Sequence, residues 1–316
     1  MKSYLVKRLF SLIPILFIVS TIVFLIIHLT PGDPASVMLG PEASSEQVEK
    51  LREELGLNVP IYKQYVNWII AAIQGDLGIS YFLKQPVMEA IFNHLGPTLA
   101  LAAIAQIICI LIAIPIGVLA AKHRGSFIDQ SFMGISLLGI SIPSFLLGLF
   151  LMLIFAVKLQ WLPVAGYQSL NNGLWNYLKF LIMPAFALGS MQAALLARMT
   201  RSSMLDVLKK DFIKASRAKG SKERQVLFKH ALRNALLPIL TVIGQSLGGL
   251  ITGAVVIETI FNIPGIGQLI INSVERRDLP IIQGTVLFAT ITFVFINFLV
   301  DLLYGFIDPR VRLEQK

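Results

Sequence analysis

The sequence predicts an all-α polytopic membrane protein with six transmembrane helices, and two observations carry that prediction. Of 316 residues, 55% are hydrophobic and only 14% are charged, whereas an ordinary soluble domain carries about 25% charge. A soluble fold of this size leaves roughly a quarter of its unfolded surface wet, more than so few charges can cover. The second observation is spacing. Asp, Glu, Lys and Arg are absent from residues 9–32, 90–121, 130–157, 180–197, 234–257 and 279–300. Each run is long enough for a helix crossing about 30 Å of hydrocarbon. The runs are continuous rather than alternating, which argues against a barrel.

Residues 1–29 form a short tail and the first span. Lys2, Lys7 and Arg8 precede its apolar run as in a signal peptide, but the run is too long and no small-residue cleavage site follows Leu29. It reads as an uncleaved helix. Residues 30–98 form an extracytoplasmic segment, and residues 99–316 a five-helix core with a C-terminal tail. Within the core, spans are expected at 99–121, 132–157, 177–197, 236–257 and 282–304. A further uncharged run, 159–178, holds Pro163, Gly166, Gln168, Asn171, Asn172 and Gly173 and reads as a loop.

Orientation follows from the cations. Of 27 Lys and Arg, 19 fall on the side of the termini, the 122–131 loop and the 198–235 segment, against 8 on the other side. Both termini and 198–235 are therefore expected in the cytoplasm. Trp161, Trp175 and Tyr177 fit an aromatic belt at the outer interface. In the outer segment, Ser44 and Gln47 have capping-box spacing, followed by Val48, Leu51 and Leu55 at helical intervals. After Pro60, Tyr65, Ile69, Ile70 and Ile73 form a second apolar stripe. Two amphipathic helices over the membrane portion and a docking surface for an external protein are compatible readings. The single cysteine, Cys109, excludes an internal disulfide and sits among isoleucines as a small apolar side chain.

The 198–235 segment carries 11 bases and 3 acids. Asp211 to Gly220 reads as a short helix stopped by Gly220 just past its C-cap. Ser221 is placed to cap the next helix, with Glu223 at its positive end. That helix continues through Val226, Leu227 and His230 toward Pro238. Three readings compete: a basic loop obeying the positive-inside bias, a nucleic-acid helix-turn-helix, and a lever moved by a cytoplasmic partner. The second lacks aromatic interleaving and has both ends pinned at the bilayer. A short helix tied at both ends to spanning helices cannot move without tilting them, which suits the third.

These residues resemble the permease subunits of ATP-binding cassette importers, whose coupling loop is marked by Glu-Ala-Ala, then Gly, then Ile-x-Leu-Pro. Here Lys214-Ala215-Ser216 precedes Gly220, the family's Glu is absent, and the Leu-Pro is Leu237-Pro238. Those departures match the dipeptide, oligopeptide and nickel group. The resemblance continues through Thr30-Pro-Gly-Asp-Pro34, Gly75-Asp-Leu-Gly-Ile-Ser80, Arg217-Ala-Lys-Gly220, His230-Ala-Leu-Arg-Asn-Ala-Leu-Leu-Pro238, Glu258-Thr-Ile-Phe-Asn-Ile-Pro-Gly-Ile-Gly267, Arg277-Asp-Leu-Pro280 and Asp308-Pro-Arg310. The long outer segment is similar to that of the first of two permease paralogues.

The resemblance implies a permease fold with a cytoplasmic coupling helix in a bacterial inner or plasma membrane. The partners it implies are a second homologous permease, two cytoplasmic ATP-binding subunits that use ATP-Mg, an external substrate-binding protein and a di- or oligopeptide cargo. The same machine importing nickel or another small solute is the alternative. Contact with the ATPase falls on Asp211, Phe212, Lys214, Ala215, Ser216, Arg217, Ala218, Lys219 and Gly220. The chain itself has no G-x-x-x-x-G-K-[ST] phosphate loop, so no cofactor is expected on it and ATP hydrolysis is expected on the partner subunits.

Few ionisable groups lie within the spans. Asp301 sits near the cytoplasmic end of the sixth, and His28 and Glu258 sit at outer ends. A carrier driven by an ion gradient usually needs a charge near the midplane. No span carries paired carboxylates, a Ser-Lys or Ser-His dyad or an H-E-x-x-H motif, which disfavours a membrane enzyme. Gly244, Gly248, Gly249 and Gly253 form small-xxx-small pairs, either for tight helix packing or for a pathway wall. Gln106, Gln192, Gln245, Ser246 and Asn297 are the candidate pathway-lining side chains. No metal ligands are expected.

Overall fold

Where lipid replaces water, a backbone must satisfy its own hydrogen bonds, and helices do so within one segment. The computed structural model describes residues 13–25, 33–40, 43–54 and 56–307. Among them the order is α1 (Ile13–Leu25), α2 (Pro34–Leu39), α3 (Ser45–Glu54), α4 (Ile61–Ile73), α5 (Val87–Lys122), α6 (Phe127–Ser141), α7 (Ser144–Leu151), α8 (Leu174–Leu208), α9 (Asp211–Ala218), α10 (Glu223–Gln225), α11 (Leu232–Ile260), α12 (Ile266–Arg276) and α13 (Leu279–Ile307). A π-helical stretch, Met152–Lys158, extends α7, and another, Val226–Ala231, joins α10 to α11. The described residues form no β-ladder, only an isolated bridge between Ile79 and Pro86.

Four stretches are each long and apolar enough to span: Val87–Lys122, Leu174–Leu208, Glu223–Ile260 and Leu279–Val300. The third span, expected as one helix over 132–157, is instead two helices bent by 100°. Pro143 lacks an N–H and pushes its predecessor out of helical geometry, and Ile142 is accordingly extended at φ −86°, ψ 119°. The bent pair makes a fifth candidate span. Part of the first expected span lies outside the described residues, with Lys2, Lys7, Arg8, His28 and Thr30-Pro-Gly. So do Asp308-Pro-Arg310, the C-terminal tail and the side chain of Asp301. The 159–178 run is a loop apart from a 3-10 turn at Leu170–Asn172 and the start of α8.

The chain divides into two compact units, Met1–Gly96 with Gln268–Phe295, and Pro97–Gly267 with Ile296–Lys316. In the second unit α8 is central and packs against α6, α7 and α11. A Cβ added at Gly189 would lie 2.6 Å from the Ala105 carbonyl oxygen, and one at Gly117 would lie 2.7 Å from that of Ala197. Helices α5 and α8 therefore touch backbone to backbone. On α11, Gly249 makes room for Gln192 and Gly253 for Leu188, so these two glycines serve close packing. Cys109 is fully buried in the core of this unit.

Two carboxylates act as joints there. Asp129, at the start of α6, accepts from Arg201 Nε at 2.6 Å and Nη2 at 2.7 Å, pinning α6 to α8. Glu258, near the end of α11, is fully buried. It accepts from Thr98 Oγ1 at 2.6 Å and from the Gly267 amide at 2.7 Å, while Thr98 Oγ1 accepts from the Ile266 amide at 2.8 Å. The carboxylate thus caps α12 and ties it to the end of α11 and to α5. A Cβ on Gly265 would collide with the Glu258 carboxylate.

The first unit shows the expected capping box. The Ser44 amide donates to Gln47 Oε1 at 2.9 Å and the Gln47 amide to Ser44 Oγ at 3.2 Å. Tyr65 and Trp68 of α4 pack on Phe24 of α1. Asp278 is buried and binds the Ser80 hydroxyl and the amides of Tyr81 and Phe82. Two of the sequence motifs, Gly75–Ser80 and Arg277–Pro280, are therefore one structural joint.

Replacing Glu258 by Ala leaves buried donors on Thr98 and Gly267 without their acceptor, at a cost of about 2–4 kcal/mol. Thermal unfolding in detergent should show Glu258→Ala melting well below the parent and Thr98→Val intermediate. An unchanged midpoint for Glu258→Ala would refute the joint.

Candidate functional site

The segment between α8 and α11 builds its site from one anchored helix and one rigid turn. Asp211 opens α9 in the first turn, where a negative charge favours the helix N-terminus. Of the eight residues of α9 only Ile213 is buried, with no exposure, in an apolar cluster that also holds Met204 and Val207 of α8 and Val226, Leu227 and Ala231 of the π-helical turn. It is the peg that fastens α9 to the ends of two spanning helices.

The C-terminus closes as a Schellman motif. The Ser221 amide donates to the Ser216 carbonyl at 3.3 Å and the Gly220 amide to that of Arg217 at 2.9 Å. Gly220 has φ +79°, as expected from the sequence, and nothing lies within 4 Å of where its Cβ would be. The requirement for glycine is therefore conformational, not spatial. The helix proper stops at Ala218, with Lys219 as C-cap. Ser221 does not cap the next helix: the N-cap of α10 is Lys222, and the Ser221 hydroxyl accepts instead from Ser216 Oγ at 3.1 Å. That bond clamps the turn from its side-chain side.

Arg217 reaches across the turn to Glu223, with Nη2 at 2.7 Å and Nε at 3.2 Å from its two carboxylate oxygens. The hydrogen bond holds the Glu223 carboxyl below the usual carboxylate range and raises Arg217 further. Both side chains are 44% exposed, so the pair orients more than it stabilises. Lys214 pairs with Asp211 at 2.8 Å on the outer surface. Phe212, Ala215, Ala218 and Lys219 are exposed, giving α9 an outward face of aromatic, methyl and cationic groups along about 12 Å of axis. Such a face fits a groove with apolar walls and an acidic rim.

The candidate pathway residues do not form one cluster. Gln106 on α5 and Ser246 on α11 are buried and bonded to each other, Ser246 Oγ donating to Gln106 Oε1 at 2.7 Å. Gln106 Nε2 has no partner among the described residues. Gln192 lies against Gly249, Gln245 is exposed on α11, and Asn297 is half-buried on α13. Sequence reasoning missed Ile213, because two adjacent apolar residues on a helix cannot both face inward and nothing local says which does. It missed the Arg217–Glu223 clasp as well. The opposite charges flanking Gly220-Ser221 were its signal.

The chain as a whole has known relatives. Residues 113–313 match the family described as binding-protein-dependent transport system inner membrane component, and residues 1–102 match its N-terminal companion. The glutathione transport system permease protein GsiC of Shigella flexneri serotype 5b is 43% identical over 314 residues, covering 99% of this chain and all of the relative. A probable peptide ABC transporter permease protein, y4tP of Sinorhizobium fredii, is 42% identical over 312 residues with the same coverage. Among solved structures, a chain of the inward-facing MetNI methionine ABC transporter aligns with TM-score 0.58 and 21% identity, covering 70% of this chain and 97% of that one. At that identity the likeness is one of fold.

A β-branched residue is strongly disfavoured at positive φ, so Gly220→Val should open the turn. The chain should insert normally, while trypsin cleavage at Arg217, Lys219 and Lys222 in inside-out vesicles accelerates severalfold. Gly220→Asn, which tolerates this region, should stay near the parent. Equal cleavage of all three would show that the turn does not depend on this backbone conformation.

Proposed function

This chain belongs to the family of binding-protein-dependent transport system inner membrane components, and from that premise we propose the cargo, partners and working surface of this particular permease. It forms, with a second homologous permease, the path by which short peptides delivered by an external binding protein cross the membrane. Two cytoplasmic ATPases drive the cycle with ATP-Mg. Both termini and α9 face the cytoplasm, in keeping with the excess of cations on that side.

The observation that carries the reading is the construction of α9. Ile213 is the one buried residue of its eight, Ser216 is half-buried in the turn, and the other six are exposed. A partner gripping Phe212, Ala215 and Ala218 would move α8 and α11 together, because the peg is seated between the end of α8 and the π-helical turn preceding α11. Asp211, Lys214, Ser216, Arg217, Lys219 and Gly220 shape and charge that grip. Gln106, Gln192, Gln245, Ser246 and Asn297 are the polar groups available to a peptide backbone. Full-length similarity to permeases named for glutathione and for peptides supports a cargo of short peptides, glutathione being itself a tripeptide.

Uptake in cells lacking this chain, before and after re-expression, separates the cargoes. Labelled di- and tripeptides, glutathione included, should enter only after re-expression and only while ATP is available. They should continue to enter when ion gradients are collapsed. Nickel uptake in place of peptide uptake would keep the machine and replace the cargo, and transport that follows the gradients would reject the ATP-driven reading. Ala215→Asp should leave the membrane level of the chain unchanged and cut uptake at least about tenfold, since it buries an unpaired charge in the docking contact.

A further inference from the structure

Helix α4 has three distinct faces. Tyr65 and Trp68 meet α1, with Tyr65 and Phe24 ring centroids 5.2 Å apart. Gln64, Asn67 and Ala71 line a cavity of about 690 Å³ shared with Leu77, Tyr81 and Gln283. The third face is apolar and uncovered: Tyr62, Val66, Ile70 and Ile73 recur at helical spacing and are between 49% and 80% exposed. A solvated helix does not keep four such side chains in one open row.

The depth of this row is set by what α4 touches. The Tyr65 hydroxyl lies 2.9 Å from Ser20 Oγ and 3.1 Å from Thr21 Oγ1. Ser20 and Thr21 lie within the uncharged interval 9–32, the stretch expected to sit in hydrocarbon. Both hydroxyls also donate to the Phe17 carbonyl within α1, at 2.9 and 2.7 Å, so Tyr65 joins a hydroxyl pair already satisfied as hydroxyls in lipid must be. On the same α1, Phe17, Ile18 and Ile22 are more than half exposed, as befits a surface against acyl chains.

We propose that α4, although it belongs to the segment outside the six-span scheme, lies in the outer leaflet with Tyr62, Val66, Ile70 and Ile73 against phospholipid acyl chains. The exposed Lys63 and Asn67, adjoining this row, reach the headgroups and water. The unit formed by Met1–Gly96 with Gln268–Phe295 is then held in the membrane by an interfacial helix as well as by its spans.

The single cysteine makes the test direct. In a Cys109→Ser background, nitroxide is attached at Val66→Cys, Ile70→Cys, Ile73→Cys and Asn67→Cys of the full-length chain. The protein is purified with whatever subunits accompany it and reconstituted into phosphatidylethanolamine–phosphatidylglycerol vesicles. Relaxation by oxygen should dominate at 66, 70 and 73, and relaxation by chromium oxalate at 67, the ratio of the two differing by about tenfold between the faces. Oxalate access at 66, 70 and 73 equal to that at 67 would place the row in water and overturn the proposal. Low access of both relaxants at those three positions would mean a protein covers it, and would overturn it equally. Three positions report on one face, so failure of any one variant to accumulate leaves the other two to decide.

Discussion

A polar group taken out of water is tolerated only where it finds hydrogen-bond partners, and this molecule turns that restriction into construction. Glu258 is the clearest instance. Its carboxylate holds the Thr98 hydroxyl and the Gly267 amide, and Gly265 leaves no space for a side chain beside it. The end of α11, the start of α12 and the Pro97–Thr98 region of α5 meet at this one group. Asp129 with Arg201, and Asp278 with Ser80, repeat the device elsewhere. Helices in lipid gain little from burying apolar surface against each other, because acyl chains are as apolar as leucine. Specific polar joints and close backbone contacts, such as that of Gly189 with Ala105, therefore settle how they pack.

The turn between α8 and α11 obeys the opposite logic. Outside the bilayer the chain can leave α9 nearly bare, and only Ile213 is committed to the core. The turn behind it is fixed three ways: by the Schellman bonds, by the Ser216–Ser221 hydroxyl contact and by the Arg217–Glu223 clasp. A rigid turn with a free outer face transmits displacement rather than absorbing it. That stiffness is what the proposed docking of a partner on α9 draws on.

Much of this was legible in the sequence because the signals are local. Four of the six uncharged intervals fall within single helices long enough to span, Gly220 marks a left-handed residue and Ser44 with Gln47 marks a reciprocal cap. Each depends on physics within a few residues. What escaped depends on partners far along the chain. Nothing near Glu258 in the sequence shows that Thr98 will bind it, and Ser221 has the right chemistry to cap a helix but is engaged by Ser216 instead. The uncharged run through Pro143 reads as a single span, whereas the chain bends there by 100° and packs both halves on α8. Gln106 and Ser246 were legible as polar residues in spans, though not as a bonded pair.

The π-helical turn at Val226–Ala231 has a consequence for chain length. Such a turn holds about one residue more than the α-helical turn it replaces, and one residue is about 100° of rotation. Every side chain from Leu232 to Ile260 is thereby phased relative to the clasped turn by an amount that the six residues of that stretch determine. Faces counted at a steady period from Glu223 come out wrong beyond it. Losing a single residue there would turn Ser246 away from Gln106 without altering any residue of the fifth span. Amino-acid identity in this short stretch is then less constrained than its number, and insertions or deletions there should be far rarer than replacements.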